Sequence, residues 1–209
     1  MQLRSDNFKH GEFIPGEFAF AVPADPVALS DNANPHLAWK AAPDGTRSFV
    51  LTCIDSDAPT CADDVNQAGR KVPADLPRGE FVHWLMANIP SECGELGAGS
   101  CSQGVLAHGK TAPYGPPGAV QGKNDYSGWF AEDPDMAGTY LGYDGPCPPW
   151  NDALIHHYHF KIFALDVAAL DLPPGFALPD LRAAMVGHVL GEAELVGVYT
   201  LNKDLLGAD

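Results

Sequence analysis

Glycine and proline interrupt this chain so regularly that they constrain the fold more than any other feature. The 209 residues include 22 glycines and 19 prolines, and a turn signal recurs about every ten residues. Such spacing favours short strands joined by turns. Hydrophobic residues make up 45% of the chain and are spread along its whole length, which is enough to bury a sizeable core. We therefore predict a single mainly-β domain over residues 1–209.

Three segments predict the long strands of a sheet: residues 48–54, 81–89 and 154–165. The first is apolar on both faces, as expected in the interior of a sheet. In the second, strict alternation assigns one face to Phe81, His83, Leu85 and Ala87. In the third, alternation places His156 and Tyr158 on an otherwise apolar face.

The remaining elements have weaker patterns. Strands are predicted at residues 17–22, 37–40 and 195–201, and a helix at residues 179–193. Residues 114–152 are rich in Gly, Pro, Asp and aromatic residues and show little periodicity. This stretch is far longer than an ordinary connection, and loops of that length usually carry function. We therefore expect the insertion region at residues 114–152 to contribute to a site.

The charge of the chain argues against several classes of partner. Twelve Lys and Arg against 27 Asp and Glu give a formal net charge of −15, which repels a nucleic-acid backbone and an anionic bilayer. A single local pocket can still bind one small anion against that field. Residues 1–11 contain no apolar run, so we predict no signal peptide, no stable membrane insertion and a cytoplasmic location.

The five cysteines predict neither a disulfide scaffold nor a zinc ribbon. They include no Cys-x-x-Cys pair of the kind that binds zinc. We expect no metal and no cofactor. Cys93 and Cys101 flank a glycine-rich loop and could bridge under oxidation. Reduced thiols are expected at most of the five positions.

Polar side chains follow or interrupt the three long strands. Asp55 and Asp57 directly follow the first strand at the rim of the sheet, although aspartates are also common in plain turns. His83 is the one ionisable side chain of the second strand, and it could equally be a histidine satisfied within the core. His156 and Tyr158 need hydrogen-bond partners on their apolar face. A shared pocket would supply those partners, but sequence spacing alone does not bring the strands together.

Four motifs follow one another along the chain: Asp55-Ser56-Asp57-Ala58-Pro59, His83-Trp84, Gly145 through Pro149, and His156-His157-Tyr158. Together they resemble the signature of the phosphatidylethanolamine-binding protein family, and the bacterial branch called Raf kinase inhibitor-like looks most similar. Two further segments also resemble the family pattern: residues 34–39, and residues 187–190 before Tyr199. The likeness therefore covers nearly the whole chain.

The resemblance implies a large antiparallel sheet core of Greek-key type with a few short helices. It also implies a small anion pocket lined by Asp55, Asp57, Pro59, His83, Gly145, Pro148, Pro149, His156 and Tyr158. The chain departs from the family pattern at three places. Ser56 stands where a proline is usual, His157 replaces a common arginine, and residues 124–143 form a longer insertion. These departures bear on the shape of the pocket and on the size of its ligand.

These residues predict a binding protein rather than an enzyme. In this hypothesis His83 and His156 donate hydrogen bonds to the oxygens of a phosphate-type ligand, and Tyr158 adds its hydroxyl. Asp55 accepts a hydrogen bond from a histidine and fixes its tautomer. The expected ligand is phosphate, a phosphoethanolamine-like head group or another phosphorylated small molecule, and the role could be regulatory.

Two other functions stay open at this point. One is a phosphate-ester hydrolase assisted by a metal or by acid–base catalysis. The other is an inhibitor of a kinase or protease that grips its partner through Trp129 and Phe130. The sequence also leaves open a homodimer and a protein partner of unknown identity.

Overall fold

The computed structural model describes residues 1–207 as one mainly-β domain. Ten strands lie within that range, numbered β1 to β10 in chain order: Gln2–Arg4, Ala21–Pro23, Val27–Leu29, Leu37–Lys40, Ser48–Pro59, Arg78–Pro90, Glu95–Leu96, Val120–Gln121, His156–Leu165 and Val189–Tyr199. The two α-helices of the described residues are short: α1 (Tyr126–Trp129) and α2 (Leu178–Met185). Single turns of 3-10 helix occur at Gly16–Phe18 and Lys203–Leu205.

The main sheet has five strands in the order β10-β9-β5-β6-β8. Strands β1, β4 and β7 form a second sheet, and β2 and β3 form a separate hairpin. Every strand pair is antiparallel. In the main sheet β5, β6 and β8 lie side by side and β9 returns to lie beside β5, which is the Greek-key order. The predicted mainly-β fold with an antiparallel Greek-key core and few helices is confirmed.

Both faces of the main sheet are covered, which explains why its central strands are apolar on both sides. On one face Leu51, Trp84 and Phe160 belong to a large core shared with the N-terminal segments and the second sheet. On the other face Val50 and Leu85 belong to a smaller core beneath α2. We call these the inner face and the outer face of the sheet.

A β-bulge changes the predicted orientation of β6. Trp84 pairs with Cys53, whereas Val82 pairs with the residue after Cys53, so His83 is an extra residue in β6. A bulge interrupts the alternation of side chains. His83 therefore contacts the inner-face core, while Leu85 packs on the outer face. The predicted shared face for Phe81, His83, Leu85 and Ala87 is wrong.

The other strand predictions differ mainly at their ends. Residues 37–40 form β4 as predicted, β5 continues through the aspartate motif to Pro59, and β9 begins at His156. The strand predicted at residues 17–22 is wrong over residues 17–20. The Phe18 amide donates to the carbonyl of Pro15 at 3.0 Å, so the chain turns there and becomes extended only at Ala21.

The helix predicted at residues 179–193 is wrong in its second half. α2 ends at Met185, and Gly187 takes a left-handed backbone with φ of 81°, a conformation that glycine adopts without steric cost. β10 then begins at Val189 and includes most of the strand predicted at residues 195–201. Val189, which extended the apolar stripe of the predicted helix, therefore belongs to a strand.

The insertion region at residues 114–152 has little regular structure but is well anchored. Within the described chain it contains β8 and α1 as its regular elements, and Tyr140 and Tyr143 are fully buried. All five cysteines are free in residues 1–207, so Cys93 and Cys101 are not bridged. No helix of the described residues combines the length and the apolar character needed to cross a membrane.

Candidate functional site

A cavity of about 390 Å³ lies where β5, β6 and β9 meet the insertion region. The strands contribute Asp55, His83, His156 and Tyr158, all of them buried. Asp55 lies opposite Tyr158 in the pairing of β5 with β9, which brings the polar ends of separate strands to one place. The structure therefore brings together the four residues that the sequence pattern singled out on these strands.

His156 is held between two carboxylates. Its Nδ1 donates to Asp55 Oδ2 at 2.7 Å and its Nε2 donates to Asp152 Oδ2 at 3.1 Å. Burial lowers the pKa of His156, but the hydrogen bonds to Asp152 and Asp55 outweigh it and raise the pKa to about 9. His156 is therefore an imidazolium at neutral pH, and both of its N–H groups are already used. It cannot donate to a ligand as the sequence hypothesis required.

Arg78 adds a second cation beside Asp152. Its guanidinium makes a bidentate pair with Asp152, at 2.6 and 3.0 Å, and Asp152 is fully buried. Burial raises the pKa of Asp152, but hydrogen bonds from His156 and Arg78 lower it to about 2. Two carboxylates thus face two cations, Arg78 and His156, and the four formal charges cancel. We call Arg78, Asp152, His156 and Asp55 the charged chain.

His83 differs from His156 in its bonds and in its charge. Its Nδ1 donates to the carbonyl oxygen of Asp144 at 2.7 Å. Burial lowers the pKa of His83 despite the nearby carboxylate of Asp55, so the ring is neutral at pH 7. With the proton on Nδ1, the lone pair on Nε2 is an acceptor. No hydrogen bond to Nε2 is found within residues 1–207.

Tyr158 is the second polar group of the cavity that lacks a partner. Its hydroxyl is completely buried and has no hydrogen-bond partner among the described residues. Burial raises the pKa of Tyr158 well above its usual range, so the hydroxyl keeps its proton and can donate. The ring packs edge to face on His83, with centroids 5.1 Å apart. We call His83 and Tyr158 the open pair.

Asp144 holds His83 in this state and was missed by the sequence analysis. Its carboxylate is fully buried and accepts from Lys110 at 2.5 Å, from Asn32 at 2.7 Å and from Asn124 at 2.8 Å. Its backbone amide donates to the carbonyl of His83 at 3.1 Å. The insertion region thus fixes the ring orientation of His83. A buried lysine among only 12 cationic residues has no signature in the sequence.

Two predicted site residues do not line the cavity. Asp57 Oδ2 accepts from the backbone amide and from Nδ1 of His157, at 2.8 and 2.9 Å, which turns the carboxylate away from the cavity. Gly145 is packed so tightly that a Cβ would lie 2.1 Å from the carbonyl oxygen of Phe18. Its role is to let these two chain segments approach closely.

The rest of the cavity is apolar. The predicted prolines 59, 148 and 149 line it. Phe20 stacks on Tyr126 and Tyr126 on Phe130, with centroids 4.6 and 5.6 Å apart. Trp129 and Leu29 line the opening and are 49% and 65% exposed. The cavity therefore has a small polar end and a larger apolar end.

Comparisons with known proteins agree with this geometry. The model of the family described as phosphatidylethanolamine-binding protein matches residues 4–200. A UPF0098 protein of Aquifex aeolicus is 33% identical over 199 residues, which cover 95% of this chain and 88% of that protein. The UPF0098 protein YbhB of Escherichia coli is 30% identical and covers 96% of this chain and 100% of its own length.

Solved structures give the same result. The crystal structure of Escherichia coli YbcL, described as a new member of the mammalian PEBP family, has a TM-score of 0.67 and 28% identity, and the match covers 95% of this chain and 97% of that one. A phosphatidylethanolamine-binding protein homologue from Chlamydia trachomatis has a TM-score of 0.65 and 27% identity, with 95% of each chain covered. The fold, the ordered motifs and these matches together establish that this chain belongs to the phosphatidylethanolamine-binding protein family.

Proposed function

We propose that this protein binds a small molecule that carries a phosphate-type group at one end and a compact apolar substituent at the other. The observation that supports it most is the hydroxyl of Tyr158, which is buried without a partner among the described residues. Leaving a buried hydroxyl unpaired costs roughly 1–3 kcal/mol. A ligand oxygen in the cavity would remove that cost.

The open pair matches a phosphate monoester that keeps one proton. The hydroxyl of Tyr158 donates to a phosphate oxygen, and the P–OH of the monoanion donates to Nε2 of His83. A fully ionised phosphate would instead place an oxygen lone pair against the lone pair of Nε2. Binding is therefore expected to retain or take up a proton, either on the ligand or on His83.

The charges around the cavity limit the ligand to one small anionic group. His156 neutralises Asp55, which reduces the repulsion that a bare carboxylate would exert on phosphate. The charged chain nevertheless adds no net positive charge, and the protein as a whole carries −15. A polyanion would gain little here and would meet repulsion beyond the cavity.

The apolar end of the cavity selects the substituent that the ligand carries. A cavity of about 390 Å³ falls within the usual range for small-molecule sites. Phe20, Tyr126 and Phe130 offer stacked aromatic surface next to the polar end. An aryl or short alkyl substituent would bury apolar surface there, so it should bind more tightly than inorganic phosphate.

Turnover is not part of this proposal. His156 has no free nitrogen to transfer a proton, and His83 is the only pocket histidine of the described residues with an unoccupied ring nitrogen. Within residues 1–207, no three His, Cys, Asp or Glu side chains are arranged to hold a metal. Hydrolysis of a phosphate ester by these residues therefore has less support from the geometry than binding.

Isothermal titration calorimetry with phenyl phosphate and with inorganic phosphate tests the proposal. Phenyl phosphate should bind more tightly, and Tyr158→Phe should weaken its binding about tenfold or more. Tyr114→Phe is the matched control, because Tyr114 is 82% exposed and lies outside this cavity. Equal affinities of Tyr158→Phe and the wild type, or no binding of either ligand by the wild type, would contradict the proposal.

A further inference from the structure

The outer face of the main sheet carries a second arrangement of polar groups that the binding pocket does not use. Ser56 on β5, His159 on β9 and Glu194 on β10 lie side by side on three neighbouring strands. Nδ1 of His159 lies 2.8 Å from Glu194 Oε1, and Nε2 of His159 lies 3.2 Å from Ser56 Oγ. A hydroxyl, an imidazole and a carboxylate are thus connected in series.

The hydrogen bonds of this series assign the protons. Glu194 has only acceptors, so Nδ1 of His159 carries the hydrogen that is donated to it. Nε2 is then a lone pair that accepts from the hydroxyl of Ser56. Partial burial raises the pKa of Glu194, but the hydrogen bond from His159 and the charge of Lys161 lower it overall. This order of groups is the one in which an imidazole activates a serine hydroxyl.

A cavity lies next to the hydroxyl. It has a volume of about 260 Å³, and both Ser56 and His159 line it. Its apolar surface comes from the outer-face core and includes Ile54, Phe163 and Leu178. A substrate could therefore place an apolar group in this cavity while its reactive carbon lies beside Ser56.

Two cations line the same cavity. Nζ of Lys161 lies 3.4 Å from Glu194, and Arg182 makes a bidentate pair with Glu80 at 2.7 and 2.9 Å. The side chains of Lys161 and Arg182 are 37% and 53% exposed. Both cations are therefore already paired with carboxylates at the edge of this cavity.

A simpler explanation is that these are ordinary cross-strand hydrogen bonds between exposed side chains at the edge of the outer face. The Ser56 hydroxyl also lies 3.3 Å from Asp57 Oδ2 and can donate there instead. Cross-strand pairing alone, however, requires neither a hydroxyl at the end of the series nor a cavity beside it. The combination of series and cavity is what distinguishes this site from the other His–carboxylate pairs of the surface.

We propose that Ser56, His159 and Glu194 hydrolyse small carboxylic esters with an apolar acyl group that fits the outer-face cavity. Ser56 is the nucleophile, His159 is the general base and acid, and Glu194 is a positioning residue. This site is separate from the binding pocket, so the proposal stands or falls independently of the phosphate-type ligand.

The reaction proceeds in two balanced steps. Ser56 Oγ forms a bond to the ester carbon while its proton moves to Nε2 of His159, and the tetrahedral intermediate then expels the alcohol, which takes that proton. The acyl group is now bound to Ser56 as an ester. Water attacks the acyl carbon, gives its proton to Nε2 of His159, and the acid is released as Ser56 regains the proton.

The first test is covalent labelling with a fluorophosphonate probe, followed by peptide mass spectrometry. The account predicts that the label is found on Ser56 and that Ser56→Ala and His159→Gln abolish it. Ser100→Ala is the matched control, because Ser100 is an exposed serine whose side chain contacts no histidine in the described structure. Labelling at another residue, or the same labelling in Ser56→Ala, would overturn the proposal.

The second test is hydrolysis of p-nitrophenyl butyrate with a burst measurement. Ser56→Ala and His159→Gln should each lower kcat/KM by about tenfold or more. His188→Gln controls for catalysis by an exposed imidazole, since His188 pairs with Asp166 at 2.9 Å. Glu194→Gln should lower kcat with KM unchanged, which distinguishes positioning of His159 from a general loss of structure. Unchanged hydrolysis in Ser56→Ala with a normal melting temperature would refute the assignment.

Discussion

The two sides of the cavity between β5, β6 and β9 use the same residue type in opposite ways. On one side His156 is charged, and both its nitrogens are bonded to carboxylates in the charged chain. On the other side His83 is neutral, and one of its nitrogens has no bond within residues 1–207. The comparison teaches that a histidine in a pocket is not by itself a ligand-binding group. Its neighbours decide whether it stabilises the fold or remains available.

The first test of this difference between the two histidines is to remove Asp152, for which the largest effect on unfolding free energy is expected. Asp152→Ala leaves Arg78 and His156 without their shared carboxylate, and breaking a buried ion pair on one side costs roughly 3–5 kcal/mol of unfolding free energy. Urea denaturation measures this. Asp166→Ala, which removes the carboxylate of the exposed pair with His188, should cost less than about 1 kcal/mol. Equal costs in the two variants would mean that the charged chain is not a structural element.

The second prediction concerns stability against pH. The folded pKa of His156, about 9, lies above the unfolded value of about 6.5. The stabilisation is therefore complete below about pH 6.5 and is lost as the pH rises through 9. We expect a decrease on the order of 3 kcal/mol over this range in chemical denaturation. His156→Gln should start lower and show a flatter profile. A wild-type profile that is flat from pH 6 to 10 would contradict the charged state of His156.

Asp152 determines how the stability of the protein falls at acidic pH, which is the acid limb of the same profile. Its folded pKa, about 2, lies below the unfolded value of about 4. The stabilisation it provides is therefore present above about pH 4 and is lost as the pH falls towards 2. Asp152→Asn should remove this limb and leave the carboxylates of the surface unaffected. An unchanged acid limb in the variant would assign the effect to other groups.

The sequence predicted the strands and the members of the pocket better than their roles. Alternation placed His156 and Tyr158 on the inner face, where they lie. The orientation of His83 could not be predicted by alternation, because a β-bulge in β6 adds a residue. Bulges depend on pairing between strands and have no simple sequence signature here.

The roles of His156, His83 and Asp57 could not be predicted, because they depend on hydrogen-bond partners that the pattern of strand residues does not show. Asp152, which is itself paired with Arg78, accepts the hydrogen bond from Nε2 of His156. Asp144 fixes the tautomer of His83 from within the insertion region. Asp57 lies at the irregular end of β5, between Asp55 and Ala58, and its bond to His157 turns it away from the cavity.

A ligand of constant charge sharpens the comparison between the two histidines. The affinity for phenyl sulfate should rise as the pH falls below about 6.5, because burial lowers the pKa of His83 and only a protonated His83 can donate from Nε2. His83→Gln should flatten this dependence. His156→Gln should leave the slope unchanged, since His156 is already protonated over that range. A flattened slope in His156→Gln, measured by calorimetry, would reverse the roles assigned to the two rings.

The smallest effect is expected at Asp57. Its carboxylate is bonded to His157 outside the cavity, so Asp57→Asn should leave the affinity for phenyl phosphate within about twofold, or roughly 0.4 kcal/mol. Asp55→Asn is the matched comparison and should weaken binding, because it removes the carboxylate that pairs with His156. Strong weakening by Asp57→Asn alone would show that the aspartate motif is oriented differently in the bound protein.

The central claim is that the open pair binds the ligand while the charged chain supports the pocket. Nitrogen NMR of the histidine side chains, recorded at pH 7 with and without phenyl phosphate, tests it most directly. The account predicts that His156 shows two protonated nitrogens in both spectra, and that His83 carries a proton on Nδ1 alone until the ligand shifts its Nε2 signal. A ligand-dependent shift at His156 with an unchanged His83 would contradict the account.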